Sequence, residues 1–133
     1  MPAKYQDIEI TEDFLNSNPN AFFVYGDNLE HRGLGGAAKF RHHPRAIGFV
    51  TKKSPDNLAK SSFTVEEYKL VFFKLLKELK EHVVKNPQRT FYITRLGAGL
   101  ANRYRIWELV IKHNLEQELE EHDNVVFLWS ENE

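Results

Sequence analysis

Four apolar runs of strand length are the feature that most limits how this chain can fold. They lie at residues 21–25, 47–51, 89–96 and 125–129. Continuous apolar runs are typical of strands that are covered on both faces, as in parallel sheets. Because segments with helical periodicity separate the runs, the pattern predicts an α/β fold with a largely parallel sheet flanked by helices.

One long amphipathic helix is predicted at residues 64–85. Thr64 and Glu67 form a capping-box pattern at its start, and its apolar residues fall along one stripe. A second helix is predicted at residues 104–119. The shorter predicted elements are a strand at residues 8–10, a helical turn capped by Thr11, and a short helix at residues 35–43.

Composition limits the class of protein. The 133 residues are 41% apolar and 28% charged, which is ordinary for one globular domain, and we expect a single domain over residues 1–133. No apolar run approaches the roughly 20 residues of a membrane helix, and the N-terminus lacks the pattern of a signal peptide. The absence of cysteine suits a reducing, cytoplasmic location, and a net charge of -1 argues against a dedicated nucleic-acid surface.

The histidines do not form a metal-binding pattern. His42 and His43 are adjacent and would diverge on a helix, and neither they nor His31 has an acidic partner at ligand spacing. No metal site and no cofactor are therefore predicted.

Glycine-rich sequence follows two of the apolar runs. The stretch FVYGDNLEHRGLGGAAKF (residues 23–40) holds four of the seven glycines, and GAGLAN begins at Gly97. Backbone N–H groups of such loops can converge on one anion at the carboxyl edge of a sheet, so the two loops predict a phosphate site. Neither loop has Walker or dinucleotide-binding spacing. The alternative is that the glycines only make tight turns.

In order and spacing, GDNLEHRGLGGAAKF, IGFVTKK and TRLGAGLAN resemble the macrodomain superfamily, most closely its branch of terminal ADP-ribose-protein glycohydrolases. The resemblance covers about residues 22–129. It implies a three-layer α/β/α fold with a mixed, largely parallel sheet, and an ADP-ribose cleft between the two glycine-rich loops. The ligand contacts expected in this cleft are Gly26, Asp27, Asn28, Gly33, Gly35, Gly36, Thr51, Arg95, Gly97, Ala98, Gly99 and Leu100.

The same resemblance implies Lys52 as a nucleophile. Asp27, Asp56 and His31 are alternatives for the carboxylate that this branch uses in proton transfer, and Asp27 is taken as the second candidate catalytic residue. A partly buried lysine amine can attack the C1″ carbon of an opened ribose and form an imine. The branch carries an aspartate after its Gly-x-Gly-Leu stretch, where this chain has Ala101. Without that carboxylate the proton transfers of hydrolysis lack their usual acid or base, so glycohydrolase activity is left open. The alternative for Lys52 and Lys53 is a solvated strand end.

These observations predict a macrodomain-like module that binds ADP-ribose or a related nucleotide, either free or attached to an ADP-ribosylated protein. Arg95 is a candidate partner for phosphate, and a structural ion pair is an equal alternative for it. One rival function is an interaction domain whose cleft is filled by side chains such as Leu34 and Leu100. Another is a binder of a different phosphorylated ribose or NAD-derived signal.

Overall fold

The computed structural model describes residues 3–131, in which five parallel strands form one sheet in the order β1-β5-β4-β2-β3. The strands are β1 (Lys4–Tyr5), β2 (Ala21–Asn28), β3 (Ala46–Lys52), β4 (Thr90–Ile93) and β5 (Val125–Phe127). Residues 1, 2, 132 and 133 of the predicted domain lie outside this description. All four strand pairings are parallel, so the expected mixed sheet is wrong for the described residues. Each strand is connected to the next by a crossover rather than by a hairpin, so all five strands run in the same direction.

Three α-helices accompany the sheet: α1 (Glu12–Ser17), α2 (Val65–Lys85) and α3 (Lys112–Leu119). Short 3₁₀ helices lie at Gly36–Phe40, Ala59–Ser61 and Asn102–Tyr104, and a π-helical turn lies at Trp107–Ile111. The long predicted helix is confirmed as α2, with Thr64 as its N-cap and the complete capping box to Glu67. The Thr11 cap of α1 is also confirmed, because its side chain accepts from the Phe14 N–H at 3.1 Å.

Three predicted elements differ from the structure. Residues 8–10 do not form a strand; the edge strand is β1, which pairs with β5. The helix predicted at residues 104–119 begins later, because Arg105 takes a left-handed conformation at φ +61° and separates it from the preceding 3₁₀ turn. The predicted helix at residues 35–43 is only the 3₁₀ helix Gly36–Phe40.

Helices cover both faces of the sheet, which makes three layers. Val24 of β2 faces the larger core together with α2 and α3. Its neighbours Phe23 and Tyr25 face the smaller core, which includes Leu15 of α1 and Ala38 of the first 3₁₀ helix. The alternation follows from the two-residue period of a strand. Within residues 3–131, no helix has the length and apolarity required to cross a membrane.

Candidate functional site

A cavity of about 770 Å³ opens where β2, β3 and β4 end, at the carboxyl edge of the sheet. Ligands of open α/β sheets bind at this edge, and ligand sites usually measure about 300–1,000 Å³. Every residue predicted for the site lines the cavity: Gly26, Asp27, Asn28, Gly33, Gly35, Gly36, Thr51, Lys52, Arg95, Gly97, Ala98, Gly99 and Leu100. Both glycine-rich loops therefore line the same cavity.

Asn28 shapes the first glycine-rich loop. Its side-chain N–H donates to the carbonyl of Arg32 at 2.8 Å, and its side-chain oxygen accepts from the Glu30 N–H at 3.0 Å. The loop then passes through His31 at φ +52° and Gly33 at φ +98°. The buried amide of Asn28 is thus committed to holding the turn that borders the cavity.

Asp27 is buried and anchors the same loop through both carboxylate oxygens. Oδ1 accepts from the Arg41 guanidinium and from the Asn28 N–H at 2.8 Å, and Oδ2 lies 2.7 Å from Nδ1 of His31. Burial raises the pKa of this carboxyl, but the hydrogen bonds that it accepts outweigh burial and hold the pKa below its usual value. Because both oxygens of this charged carboxylate already have partners, Asp27 is better suited to holding the loop in place than to abstracting a proton.

Arg41 is the functional residue that sequence reasoning missed. Besides Asp27, its guanidinium donates to the carbonyls of Gly33 (3.0 Å) and Arg32 (3.1 Å), so one side chain joins the end of β2 to the middle of the loop. Its side chain is almost fully buried. Nothing in the surrounding sequence distinguishes Arg41 from the nearby Arg45, because the contact with Asp27 is made only by the tertiary fold.

The acid dependence of stability should report on Asp27. Its pKa is lower in the folded chain, so its charged form stabilises the fold above the ordinary aspartate pKa of about 3.9, and this contribution is lost as pH falls further. We expect the urea midpoint to fall as the pH is lowered below about 4, and to fall less in Asp27→Asn. Equal pH slopes in the two proteins would contradict this assignment.

The glycines that line the cavity differ in the space that their missing side chains leave. A Cβ atom at Gly97, where φ is +78°, would lie 2.8 Å from Cδ1 of Ile111, so this glycine is required by the backbone and by close packing. A Cβ atom at Gly35 or Gly99 meets no heavy atom within 4 Å. The open faces of Gly35 and Gly99 leave their backbone accessible from the cavity.

Lys52 ends β3 in a buried position on the cavity wall. Its ammonium donates to the main-chain carbonyl of Asp56. The neighbouring Lys53 leads away from the site, since its ammonium donates to Glu67 at 2.7 Å. The alternative of a solvated strand end therefore does not describe the buried Lys52, whereas the side chain of Lys53 is 32% exposed and makes its ion pair at the surface.

The second loop brings Arg95 and Ala101 to the cavity. Arg95 is exposed and its guanidinium lies over the ring of Trp107 at 5.9 Å. Ala101 is buried in the wall, so no carboxylate stands at that position. Leu34 and Leu100, which could have filled the cleft, are 58% and 74% exposed and leave the space open.

Positive charge is concentrated at the cavity although the chain carries a net charge of -1. The charged residues that line it are the cations Arg32, Lys39, Arg41, Lys52 and Arg95 and the acids Glu9 and Asp27. Three of these cations are ion-paired, Arg32 with Glu30, Lys39 with Glu9 and Arg41 with Asp27, and the remaining excess of positive charge favours an anionic ligand. Among residues 3–131, no group of three or more metal-binding side chains lies close enough to hold an ion.

A family model matches most of this chain. The sequence model of a family of unknown function (DUF7831) matches residues 5–102, about three quarters of the chain, including both glycine-rich loops and Lys52. No curated protein and no solved structure matches, and the resemblance to macrodomains stays a prediction. Because the match covers well over half of the sequence, the chain belongs to the family of unknown function DUF7831.

Proposed function

We propose that this chain binds ADP-ribose or a related nucleotide in the cavity at the carboxyl edge of its sheet. The observation that carries the proposal is the cavity itself: about 770 Å³ of open space bounded by two glycine-rich loops and by an excess of cationic side chains. Two open glycine surfaces, at Gly35 and Gly99, allow phosphate oxygens to approach the backbone without a side chain in the way. The choice of ADP-ribose comes from the sequence resemblance.

The open cavity favours a ligand binder over a ligand-free interaction domain. An interaction domain has no need for an empty, cationic space of ligand size, and the exposed Leu34 and Leu100 do not fill it. Another phosphorylated ribose or NAD-derived signal would meet the same glycines and cations. A protein that carries ADP-ribose would present the same group to the cavity.

Lys52 is the side chain of the cavity that could act as a nucleophile. Its amine, after losing a proton, would attack the C1″ carbon of the ribose, forming a carbon–nitrogen bond while the bond from C1″ to the oxygen of the modified carboxylate breaks; ring opening then gives the imine, which water hydrolyses to free ADP-ribose. Hydrolysis of the linkage also needs a group that moves protons. Ala101 supplies none, and Asp27 is held by Arg41 and His31, so binding is the primary function proposed and turnover is slow or absent.

A thermal-shift panel tests the proposal. We expect ADP-ribose to raise the melting temperature by several degrees, since saturation at 100 times the dissociation constant stabilises the folded state by about 2.7 kcal/mol. The panel includes NAD, AMP, cyclic nucleotides and ribose phosphates, and the largest shift identifies the ligand class. No shift with any member would contradict a nucleotide-binding function.

Gly35→Val probes the same cavity with little cost to folding. Gly35 has ordinary extended backbone angles (φ -77°, ψ 147°) and open space at Cβ, so valine should leave the unfolding free energy within about 1 kcal/mol of the parent. It should weaken ADP-ribose binding at least about 10-fold, because its methyl groups occupy the approach to the backbone. Calorimetry on the folded variant measures the change, and unaltered affinity would remove this loop from the site.

A further inference from the structure

A second cavity, of about 340 Å³, adjoins the main cavity at the second glycine-rich loop. It is lined by Asn57, Ser62, Gly99, Leu100, Asn102 and Arg103, and two of these residues, Gly99 and Leu100, line the main cavity as well. A Cβ atom at Gly99 would meet no heavy atom within 4 Å, and the side chain of Leu100 is exposed. The surface that the two cavities share is therefore open, and they form adjoining parts of one concave region.

The second cavity begins beside Lys52. This lysine lines the main cavity, and it forms an isolated antiparallel bridge with Ser62, which lines the second cavity. Its ammonium donates to the carbonyl of Asp56, the residue that precedes Asn57 of the second cavity. In the proposed chemistry the Lys52 amine attacks C1″, the carbon through which ADP-ribose is joined to a carrier protein. The carrier therefore leaves the main cavity where the second cavity begins.

Positive charge in the second cavity has no acidic residue opposite it. Arg103 is the one charged residue in the lining that the structure describes. The segments that supply the lining, residues 57–62 and 99–103, contain no acidic residue. The acids that flank these segments are occupied: Asp56 accepts three hydrogen bonds from its own loop, and Glu108 accepts two from a side-chain amide. The cavity therefore favours an acidic group.

Arg103 has the geometry to bind a carboxylate. Its side chain makes one hydrogen bond within residues 3–131, from Nη2 to the carbonyl of Asn57 at 3.2 Å. A guanidinium has five N–H donors, and two of them match the two oxygens of a carboxylate. Leu58 and Tyr104, which follow Asn57 and Arg103 in the sequence, are exposed and offer apolar contacts. One arginine with exposed apolar neighbours suits a peptide better than a nucleic acid, which requires several cations along its phosphates.

We propose that the second cavity binds an acidic segment of the protein that carries the ADP-ribosyl group, with Arg103 paired to an aspartate or glutamate beside the modified residue. The inference rests on the proposed function, because ADP-ribose in the main cavity brings the carrier to this place. Free ADP-ribose uses the main cavity alone, so the second cavity selects modified acidic segments over the free nucleotide.

Calorimetry on the full chain with three probes tests this selectivity. The first probe is free ADP-ribose. The other two are peptides in which C1″ of ADP-ribose is joined to the side-chain nitrogen of a glutamine, flanked by aspartates in one peptide and by serines in the other. We expect the aspartate peptide to bind about 5-fold more tightly than the serine peptide, the upper end of the range for an exposed ion pair.

The ratio of the two peptide affinities isolates the second cavity, since any change in the main cavity affects both peptides equally. In Arg103→Gln the ratio should fall to about 1. Arg105→Gln is the matched control, because Arg105 is an exposed arginine two positions later and is not among the residues that line either cavity. It should keep the ratio of the parent.

The outcomes separate the second cavity from the proposed function. If ADP-ribose binds but the parent does not distinguish the two peptides, or if the preference survives Arg103→Gln, the acidic-segment site is wrong and the proposed function stands. Tighter binding of an ADP-ribosylated oligonucleotide than of the aspartate peptide would overturn the assignment to a protein carrier. Failure of all three probes to bind would overturn the proposed function, and the second site with it.

Discussion

Valine at Gly97 should destabilise the fold by about 3 kcal/mol, whereas valine at Gly99, two residues further along the same loop, should leave stability within about 1 kcal/mol of the parent. Gly97 has φ +78°, which costs an L-residue about 1–2 kcal/mol, most of all a β-branched one. Its new Cβ would also lie 2.8 Å from Ile111 and 3.2 Å from Ile106. Both isoleucines are fully buried, so their side chains must shift within the core to admit the new atoms.

Urea denaturation measures the free energies of unfolding, and the melting temperature of Gly97→Val should fall by roughly 10 °C. Gly99→Val is the matched control for stability and a probe of binding in its own right. Its side chain would enter open cavity space, so ADP-ribose affinity should fall while the fold persists. Equal stabilities of the two variants would show that the loop relaxes around residue 97 and that its packing on the isoleucines is loose.

The elements that sequence predicted correctly are those that local physics determines. Strands β2 to β5 are apolar runs that only a doubly covered sheet can bury, and α2 carries both a complete capping box and a long apolar stripe. The central strands are long enough to show their pattern. Where they lie parallel, their carboxyl ends meet at one edge, which is why residues more than 70 positions apart could be assigned to one cavity.

The elements that sequence missed depend on tertiary contacts. β1 has two residues, too few to show a period, and is a strand only because β5 offers a free edge. The late start of the last helix comes from the left-handed Arg105, a conformation that sequence does not mark for arginine. Intrinsic propensities predict neither the strand β1 nor the left-handed Arg105, because tertiary contacts determine both.

The candidate site likewise combines features that the local sequence reveals with features that only the tertiary structure reveals. Glycine positions and Lys52 were visible in the sequence because strand ends and glycines are local signals. The ties that organise the site are made by the tertiary fold: Arg41 donates to the carboxylate of Asp27, Arg103 to the carbonyl of Asn57, and Lys52 to the carbonyl of Asp56. The sequence identified Asp27 as a polar group at a strand end, but only its partners indicate that it holds the loop.

Introducing a carboxylate at Ala101 should have the largest effect on chemistry. If Lys52 forms an imine with the opened ribose, the parent lacks a group to move protons at the neighbouring wall, and we expect slow or absent release of ADP-ribose from modified glutamate or aspartate side chains. Ala101→Asp should raise that rate about 100-fold to 10,000-fold, the range that a positioned acid or base contributes. The backbone at Ala101 (φ -75°, ψ -9°) accommodates any L-residue.

Two further variants separate acid–base chemistry from altered packing. Ala101→Asn adds nearly the same volume without an ionisable group, so it should not gain the rate, and its melting temperature reports the cost of a polar side chain at this buried position. Adding Lys52→Ala to Ala101→Asp should abolish turnover and the lysine adduct that borohydride traps for mass spectrometry. Because the amine and the carboxylate act on one bond, their effects should not be additive. Turnover that survives the loss of Lys52 would instead assign the attack to an activated water, and the new carboxylate would be its base.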